Sequence, residues 1–137
     1  MPVSLVAETQ VVVWYLREPG RLTEKAASAL QAVTATGNLI GVSAFSIVEL
    51  VNAAEKRTNP FTFDDLDVVV AALALPTGPF AIVEIDAEIA AQVRLIPRVE
   101  NADPGDRIIV ATAEVLRVPL VSADGKVSAM TSGPVVW

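Results

Sequence analysis

The fold is decided at residues 3–7, where the chain reads Val3-Ser4-Leu5-Val6-Ala7 and then meets the acid Glu8. A short, mostly apolar run with two valines is typical of a buried strand. Similar runs recur at Leu39–Val42, at Phe80–Val83 and at Pro119–Ser122. Segments with helical spacing of apolar residues separate these runs, and this alternation predicts a parallel sheet covered by helices.

Capping residues and breakers set the expected helix bounds. Thr9, Thr23, Ser43 and Asp86 are suitable N-caps, and Thr62 with Asp65 resembles a capping box. The predicted helices are Thr9–Tyr15, Glu24–Thr36, Ser43–Lys56, Thr62–Leu75, Asp86–Ile96 and Gly105–Leu116, with a break at Asn59-Pro60, a turn at Asp124-Gly125 and a last strand at Pro134–Trp137. The sequence therefore predicts one three-layer α/β domain over residues 1–137, with a central parallel sheet flanked by helices.

Composition excludes several kinds of chemistry. The chain has 137 residues, of which 53% are hydrophobic and 19% charged, and this apolar content excludes a disordered protein. It contains no cysteine and no histidine, which excludes a disulfide framework, a thiol nucleophile, a histidine-ligated zinc and a Ser-His-Asp triad. Catalysis must therefore depend on carboxylates, hydroxyls, amides, lysine or arginine.

The formal net charge of −6 disfavours a generic basic nucleic-acid binder but suits a carboxylate site for divalent cations. The segment Met1-Pro2-Val3-Ser4 lacks the basic region of a signal peptide. The longest uncharged stretch, Ala26–Val48, is interrupted by polar residues and glycines, so no membrane span is predicted. We expect a cytoplasmic protein.

Four acids are placed where ligands bind in such a sheet. Glu8 follows the first strand, Glu49 lies in the helix after the second, Asp106 lies in the first turn of a later helix, and Asp124 follows the fourth strand. Ligands of open α/β sheets bind at the carboxyl ends of the strands. Several carboxylates at one point repel each other unless a cation compensates them, so one or two divalent ions are expected there.

Glu8 has no obvious local role, but each of the other acids also has an ordinary structural interpretation. Glu49 stands three residues after Ser46, the spacing of a capping box, although Ser43 is the better N-cap. Asp106 could complement a helix dipole, and Asp124 before a glycine is common turn chemistry. Asp103, before Pro104, is typical of an N-cap. The sequence leaves open whether Asp103 reaches the acidic site.

Four sequence blocks resemble the PIN-domain ribonucleases, specifically the VapC-type toxins of type II toxin–antitoxin pairs. Their order and spacing extend over nearly the whole chain, and the third block is the most specific. The blocks are VAETQVVVWYL at residues 6–16, VSAFSIVEL at 42–50, DPGDRIIVATA at 103–113 and LVSAD at 120–124.

The resemblance implies a Mg²⁺ or Mn²⁺ site built from Glu8, Glu49, Asp106 and Asp124, supported by the hydroxyls of two further residues. Those residues are Thr9 and Ser122. It also implies cleavage of structured RNA, such as tRNA or ribosomal RNA, by water that the metal activates. As partners it implies a homodimer and a cognate VapB-type antitoxin that covers the acidic groove.

One position departs from the family pattern, which has Asp, commonly in Asp-Thr-His, where this chain has Glu8-Thr9-Gln10. The extra methylene of Glu8 moves the carboxylate by roughly 1 Å, and Mg²⁺ demands near-ideal geometry. An alternative function is therefore a catalytically impaired protein that binds antitoxin or RNA without cutting. A phosphoacceptor receiver domain is disfavoured, because it would need two acids together after the first strand.

Basic and aromatic residues complete the set of candidates. Cations are needed near the site to hold an RNA backbone, and Trp14 and Tyr15 on the first helix are candidates for a partner surface or for the core. The basic candidates are Arg17, Arg21, Lys25, Lys56, Arg57, Arg107 and Lys126.

Overall fold

A single parallel sheet organises the chain, of which the computed structural model describes residues 2–56 and 60–137. The strands are β1 (Val3–Ala7), β2 (Leu39–Ser43), β3 (Phe80–Val83), β4 (Leu120–Val121) and β5 (Val135–Val136). They lie in the order β3-β2-β1-β4-β5, and every neighbouring pair is parallel. The predicted parallel sheet is confirmed, including its last strand.

Helices connect these strands at close to the predicted bounds. They are α1 (Thr9–Arg17), α2 (Glu24–Ala35), α3 (Ala44–Glu55), α4 (Phe63–Ala74), α5 (Ala87–Gln92), α6 (Asp106–Leu116) and α7 (Gly125–Ser128), with 3-10 turns at Pro19–Arg21 and Val93–Leu95. The N-caps Thr23, Ser43 and Asp86 are confirmed, and Thr62 with Asp65 forms the predicted capping box. None of these helices, within the described ranges, is long and apolar enough to cross a bilayer.

Several local predictions are wrong. Thr9 is the first residue of α1 and not its cap, because Glu8 occupies the cap position and the Thr9 hydroxyl turns towards α3. The helix predicted over 86–96 ends after Gln92 and continues as a 3-10 turn. Asp124 and Gly125 were predicted to form a turn, but Asp124 is the N-cap of the short helix α7. The predicted break at Asn59-Pro60 falls partly outside the described residues, and Arg57 lies outside them altogether.

Both faces of the central strand β1 are buried. Because successive side chains of a strand point to opposite faces, Leu5 and Ala7 pack into the core cluster beneath α1 to α4, whereas Val6 packs into the cluster beneath α5 and α6. All three side chains are at most 3% exposed. This arrangement confirms the predicted three-layer architecture.

Gly41 of β2 allows close packing between its neighbours. A Cβ at this position would lie 2.7 Å from Val3 Cγ1 and 3.3 Å from Val83 Cγ2. A sheet that is covered on both faces has no free space for an added methyl group. A larger residue at this position must therefore displace side chains of β1 or β3.

Replacing Gly41→Ala is expected to lower the free energy of unfolding by about 1–3 kcal/mol, because overpacking forces side chains off their preferred positions. Urea denaturation measures the change. Gly20→Ala is the matched control, since nothing lies within 4 Å of a Cβ built there. Equal stability of the two variants would contradict this account of Gly41.

Candidate functional site

The acidic site lies where the strand order reverses. β1 lies between β2 on one side and β4 on the other, and such a switch point opens a crevice at the carboxyl ends of the strands. Glu8 follows β1 directly, and its backbone N–H donates to Val121 O at 3.0 Å. Asp124 follows β4 by three residues. The pairing of β1 with β4 therefore brings together two acids that are 116 positions apart in the sequence.

Ser122 joins these two acids. Its hydroxyl donates to Glu8 Oε2 at 2.6 Å and accepts from the backbone N–H of Asp124 at 3.1 Å. The side chain is buried at 2% exposure, so its orientation is set by the surrounding core. Asp124 Oδ1 in turn accepts from the backbone N–H of Lys126 at 2.9 Å. Ser122 thus contacts the side chain of one acid and the backbone of the other, and its supporting role stays a prediction.

A second hydroxyl pair holds Glu49. Thr9 Oγ1 lies 2.6 Å from Glu49 Oε1 and 2.7 Å from Ser46 Oγ. A hydroxyl carries one proton and a carboxylate is the stronger acceptor, so Thr9 donates to Glu49 and Ser46 supplies the second contact. Ser46 is fully buried. The sequence interpretation treated Ser46 only as a possible cap, although its position three residues before Glu49 places both on one helix face.

Asp106 begins α6 and is positioned by the turn that precedes it. Its backbone N–H donates to Asp103 O at 3.0 Å, and the carboxylate of Asp103 accepts from Gly105 N–H at 2.8 Å. Asp103 therefore stabilises the turn and is not the N-cap of α6, a position that Gly105 occupies. The ring of Phe45 packs directly against Gly105, leaving no room for a Cβ there.

The four predicted acids share one electrostatic environment. Burial raises the pKa of Glu8 from about 4.5 to about 7. The Ser122 hydroxyl opposes this shift, and the charges of Asp106, Asp124 and Glu49 add to it. Burial likewise raises the pKa of Glu49, with a further contribution from the charge of Asp106. The charges of these acids therefore act on one another, although the sequence places Glu8 and Asp124 after strands and Glu49 and Asp106 within helices.

Asp106 is also affected by its neighbours. Burial raises its pKa first, and the charges of Asp103 and Asp124 raise it further, while Lys126 lowers it. Asp103 acts on the pKa of Glu49 as well. Asp103 therefore reaches the site through its charge, which answers the question that the sequence left open about this residue.

This donor set fits a hard divalent cation in its chemistry. The oxygens are carboxylates, the ligands that Mg²⁺ and Mn²⁺ prefer. Burial is the main cause of the raised pKa values of Glu8, Glu49 and Asp106, and the charges of neighbouring acids add to it. Across residues 2–56 and 60–137, no group of three or more acids is close enough to hold one ion as the side chains stand.

The basic candidates differ in their relation to the acids. Lys126 Nζ donates to Asn101 O at 3.0 Å and lies close enough to Asp106 to lower its pKa. Arg107 donates to the carbonyls of Ile96 and Val93 at 3.1 and 2.8 Å, so it holds the α5–α6 connection together. Of these two, Lys126 is the one whose charge reaches the acids.

Other basic candidates lie along α1 and its neighbours. Arg17 pairs with Asp65 at 3.2 Å, and Arg21 lies over the Trp14 ring at 5.2 Å from its centroid. Trp14 is partly buried and contacts Trp137 at 5.6 Å between ring centroids. Tyr15 packs edge-on against Phe80. Lys25 and Lys56 are exposed.

Fold and site together define a doubly wound α/β domain with an acidic crevice at its switch point. The PIN domain family model matches residues 5–131, so the chain belongs to the PIN domain family. The family resemblance that the four sequence blocks predicted is confirmed. None of the curated proteins compared with the chain matches it.

Solved structures similar to this chain share the fold over nearly its whole length. VapBC from Salmonella typhimurium bound to DNA gives a TM-score of 0.70 at 15% identity and covers 97% of this chain and 96% of its own. VapBC2 from Rickettsia felis, bound to a promoter DNA fragment, gives 0.66 at 13% identity and covers 97% of both chains. A toxin–antitoxin complex from Klebsiella pneumoniae gives a TM-score of 0.64 at 24% identity and covers 98% of this chain and 97% of its own.

Replacing Gly105→Ala is expected to lower the free energy of unfolding by about 1–3 kcal/mol, because the new methyl group overlaps the Phe45 ring. Phe45→Leu in the Gly105→Ala background should recover part of this loss, and a double-mutant cycle by urea denaturation measures the coupling. Additive effects of the two substitutions would contradict direct contact between ring and backbone.

The stability of the metal-free protein should fall as pH rises through 7. A carboxyl whose pKa is raised in the folded state binds its proton more tightly there, so it contributes fully below the unfolded pKa of about 4.5 and loses that contribution as pH passes about 7. Glu8→Gln removes the free-energy cost of ionising this buried carboxyl in the folded protein. Between pH 5 and pH 8 the variant should gain roughly 2 kcal/mol relative to the parent chain.

Chemical denaturation in EDTA at both pH values measures this shift. The matched control is Asp67→Asn, which removes an exposed acid from α4. If the difference between Glu8→Gln and the parent chain were the same at pH 5 and pH 8, the raised pKa of Glu8 would be wrong.

Proposed function

We propose that this chain is a Mg²⁺- or Mn²⁺-dependent endoribonuclease and the toxin of a toxin–antitoxin pair. The observation that supports the proposal most directly is that the charges of Asp106, Asp124 and Glu49 act on Glu8, which follows β1 at the switch point of a PIN domain. A bound divalent cation would relieve the repulsion among these carboxylates. The absence of histidine and cysteine agrees with chemistry based on acids.

The residues have distinct roles in this proposal. Asp106 and Asp124 hold the cation directly, and Glu49 contacts it through water or orients the attacking water. Glu8 completes the ligand set once it is deprotonated. When bound, the divalent ion lowers the pKa of water and neutralises charge on the scissile phosphate.

Two hydroxyls, of the buried Ser122 and the half-buried Thr9, keep the carboxylates of Glu8 and Glu49 in position. Ser122 directs Glu8 towards β4, and Thr9 directs Glu49 towards α1, each through a 2.6 Å hydrogen bond. Such bonds fix the rotamer of a ligand before the ion arrives, which preserves the geometry that catalysis needs. Thr9 and Ser122 are therefore positioning residues.

The substrate proposed is RNA, with structured RNA such as tRNA or ribosomal RNA as the class. Lys126 lies beside Asp106 and supplies a cation at the edge of the acids, where a phosphate next to the cleaved bond would lie. Without the four site acids the formal net charge changes from −6 to −2, so the rest of the surface is nearly neutral and attracts RNA little by charge alone. Recognition would therefore depend on shape as well as charge.

A cognate VapB-type antitoxin and a homodimer are the proposed partners. The antitoxin is supported by the similarity to the Salmonella, Rickettsia and Klebsiella structures, which are described as VapBC or toxin–antitoxin complexes, whereas the homodimer stays a prediction. Their identities to this chain stay below 25%, so they support the fold directly and the partners by analogy. A cytoplasmic location stays a prediction.

One observation favours a second candidate function. With a pKa of about 7, Glu8 is about half protonated at neutral pH, and a protonated carboxyl is a poor metal ligand. Its longer side chain is also tied to Ser122. A PIN-domain protein that binds antitoxin or RNA without cutting is the alternative that these facts support.

Cleavage of purified total tRNA and ribosomal RNA tests the proposal. The antitoxin-free chain should cut in Mg²⁺ or Mn²⁺ and stop in EDTA. Asp106→Asn should lower the rate by about 100-fold or more, because it removes a ligand. The control variant Asp67→Asn, which removes an exposed acid on α4, should cut RNA at the rate of the parent chain.

The variant Glu8→Asp separates the two candidate functions. Cutting by both the parent chain and the variant would make Glu8 a working ligand. Cutting by the variant alone would support the impaired protein, with an otherwise intact site. Cleavage that survives EDTA would contradict the proposed metal dependence. Absence of cleavage by both chains would contradict the proposed ribonuclease activity.

A further inference from the structure

Ser46 carries a buried hydroxyl three residues before Glu49 on α3. Its exposure is 0%, so water does not reach the side chain. Within residues 2–56 and 60–137, its Oγ has a single hydrogen-bond partner, the Thr9 Oγ1 at 2.7 Å. A buried hydroxyl proton without an acceptor is costly. The acceptor for the Ser46 proton is therefore the Thr9 oxygen.

The proton of Thr9 is committed to a different partner. Thr9 Oγ1 lies 2.6 Å from Glu49 Oε1, and an ionised carboxylate only accepts hydrogen bonds. A hydroxyl has one proton and two lone pairs, so Thr9 donates to Glu49 while it accepts from Ser46. The three side chains therefore form a hydroxyl chain, which runs from Ser46 through Thr9 to Glu49.

The contact with Ser46 fixes the rotation of the Thr9 hydroxyl. A threonine hydroxyl turns about its C–O bond to the direction that its partners favour. Because a donor on α3 holds one lone pair of Thr9, the proton of Thr9 stays directed at the Glu49 carboxylate. Hydrogen bonds in series also strengthen one another in a partly buried environment. Ser46 therefore acts on Glu49 through Thr9.

The hydroxyl chain joins the core to the acids. Thr9 is the first residue of α1, whereas Ser46 and Glu49 lie on one face of α3. Ser46 is fully buried and Glu49 is half-buried, so the chain leads outwards from the core. Close packing around the buried end restricts its movement. The core thereby fixes the orientation of a carboxylate that solvent reaches.

We propose that Ser46 is a positioning residue of the metal site, which holds Glu49, through the Thr9 hydroxyl, in the orientation that a divalent ion or its bound water requires. This inference rests on the proposed function, because that proposal gives Glu49 its role beside the ion. Loss of a group that hydrogen-bonds a metal ligand typically lowers metal affinity or activity by about 10- to 100-fold. Ser46 is one hydrogen bond further from the ligand, so its effect is smaller.

Mn²⁺ binding to the full chain tests the proposal, followed through the electron paramagnetic resonance signal of free Mn²⁺. Ser46→Ala should weaken the affinity by about three- to tenfold, because Thr9 loses its donor. Ser46→Thr keeps the hydroxyl and should bind Mn²⁺ within about twofold of the parent chain. The matched control is Ser28→Ala, which replaces an exposed serine of α2 and should bind Mn²⁺ like the parent chain.

The nearly isosteric variant Thr9→Val distinguishes positioning from packing. Thr9→Val should weaken Mn²⁺ binding by about tenfold or more, because it removes the direct hydrogen bond to Glu49. In that background Ser46→Ala should lower the affinity no further, since its effect depends on the Thr9 hydroxyl. A serine that acts only through packing would cause the same loss in both backgrounds. If the added methyl group of Ser46→Thr prevents folding, this comparison decides alone.

Urea denaturation in EDTA provides a measurement that needs no metal. Ser46→Ala should be less favourable in the parent chain than in Thr9→Val, by about threefold or more in the unfolding equilibrium constant. The reason is that Ser46 loses a hydrogen bond in the first case, whereas in the second its buried donor already lacks an acceptor. The same curves verify that each variant is folded.

Three results would overturn the proposal. They are parent-like Mn²⁺ affinity in a folded Ser46→Ala variant, the same effect of Ser46→Ala with and without the Thr9 hydroxyl in either measurement, and no saturable Mn²⁺ binding by the parent chain. The first two leave the proposed ribonuclease intact, whereas the third also contradicts its metal site. A parent chain that shows all the expected Mn²⁺ effects but cuts no RNA would contradict the ribonuclease alone.

Discussion

The rest of the structure depends on the burial of β1 on both faces and the pairing of its two edges. Leu5 and Ala7 belong to one core cluster and Val6 to the other, so this strand joins the two layers of helices. Because β2 and β4 lie on opposite sides of it, the carboxyl end of β1 is also where the crevice opens. The acid Glu8 therefore directly follows a strand that is buried on both faces.

That placement creates an electrostatic cost, which the neighbouring groups reduce only in part. Burial and the charges of the other acids raise the pKa of Glu8 to about 7, while a short hydrogen bond from Ser122 opposes the shift. Thr9 does the same for Glu49. The hydroxyls stabilise the ionised forms locally, but the repulsion among the carboxylates remains. A site of this kind gains most from a bound cation, because the cation acts on every acid at once.

Most of the fold was predictable because its signals are local. Apolar runs mark the strands, and capping residues such as Thr23 and Asp86 mark the helix starts at the observed positions. The predictions failed where a side chain has a distant partner. Thr9 looked like a cap, but its hydroxyl lies against Glu49, forty positions away. Asp103 likewise looked like a cap, although it holds the turn before α6.

By itself, the sequence determined the order of strands and helices, the exclusion of histidine and thiol chemistry, and the four acids that stand near strand or helix ends. These properties follow from residue type and spacing along the chain. The tertiary structure alone decided which acids feel each other's charge and that Ser122 and Ser46 support them. Burial and long-range pairing set these features, because both depend on where distant segments meet in space.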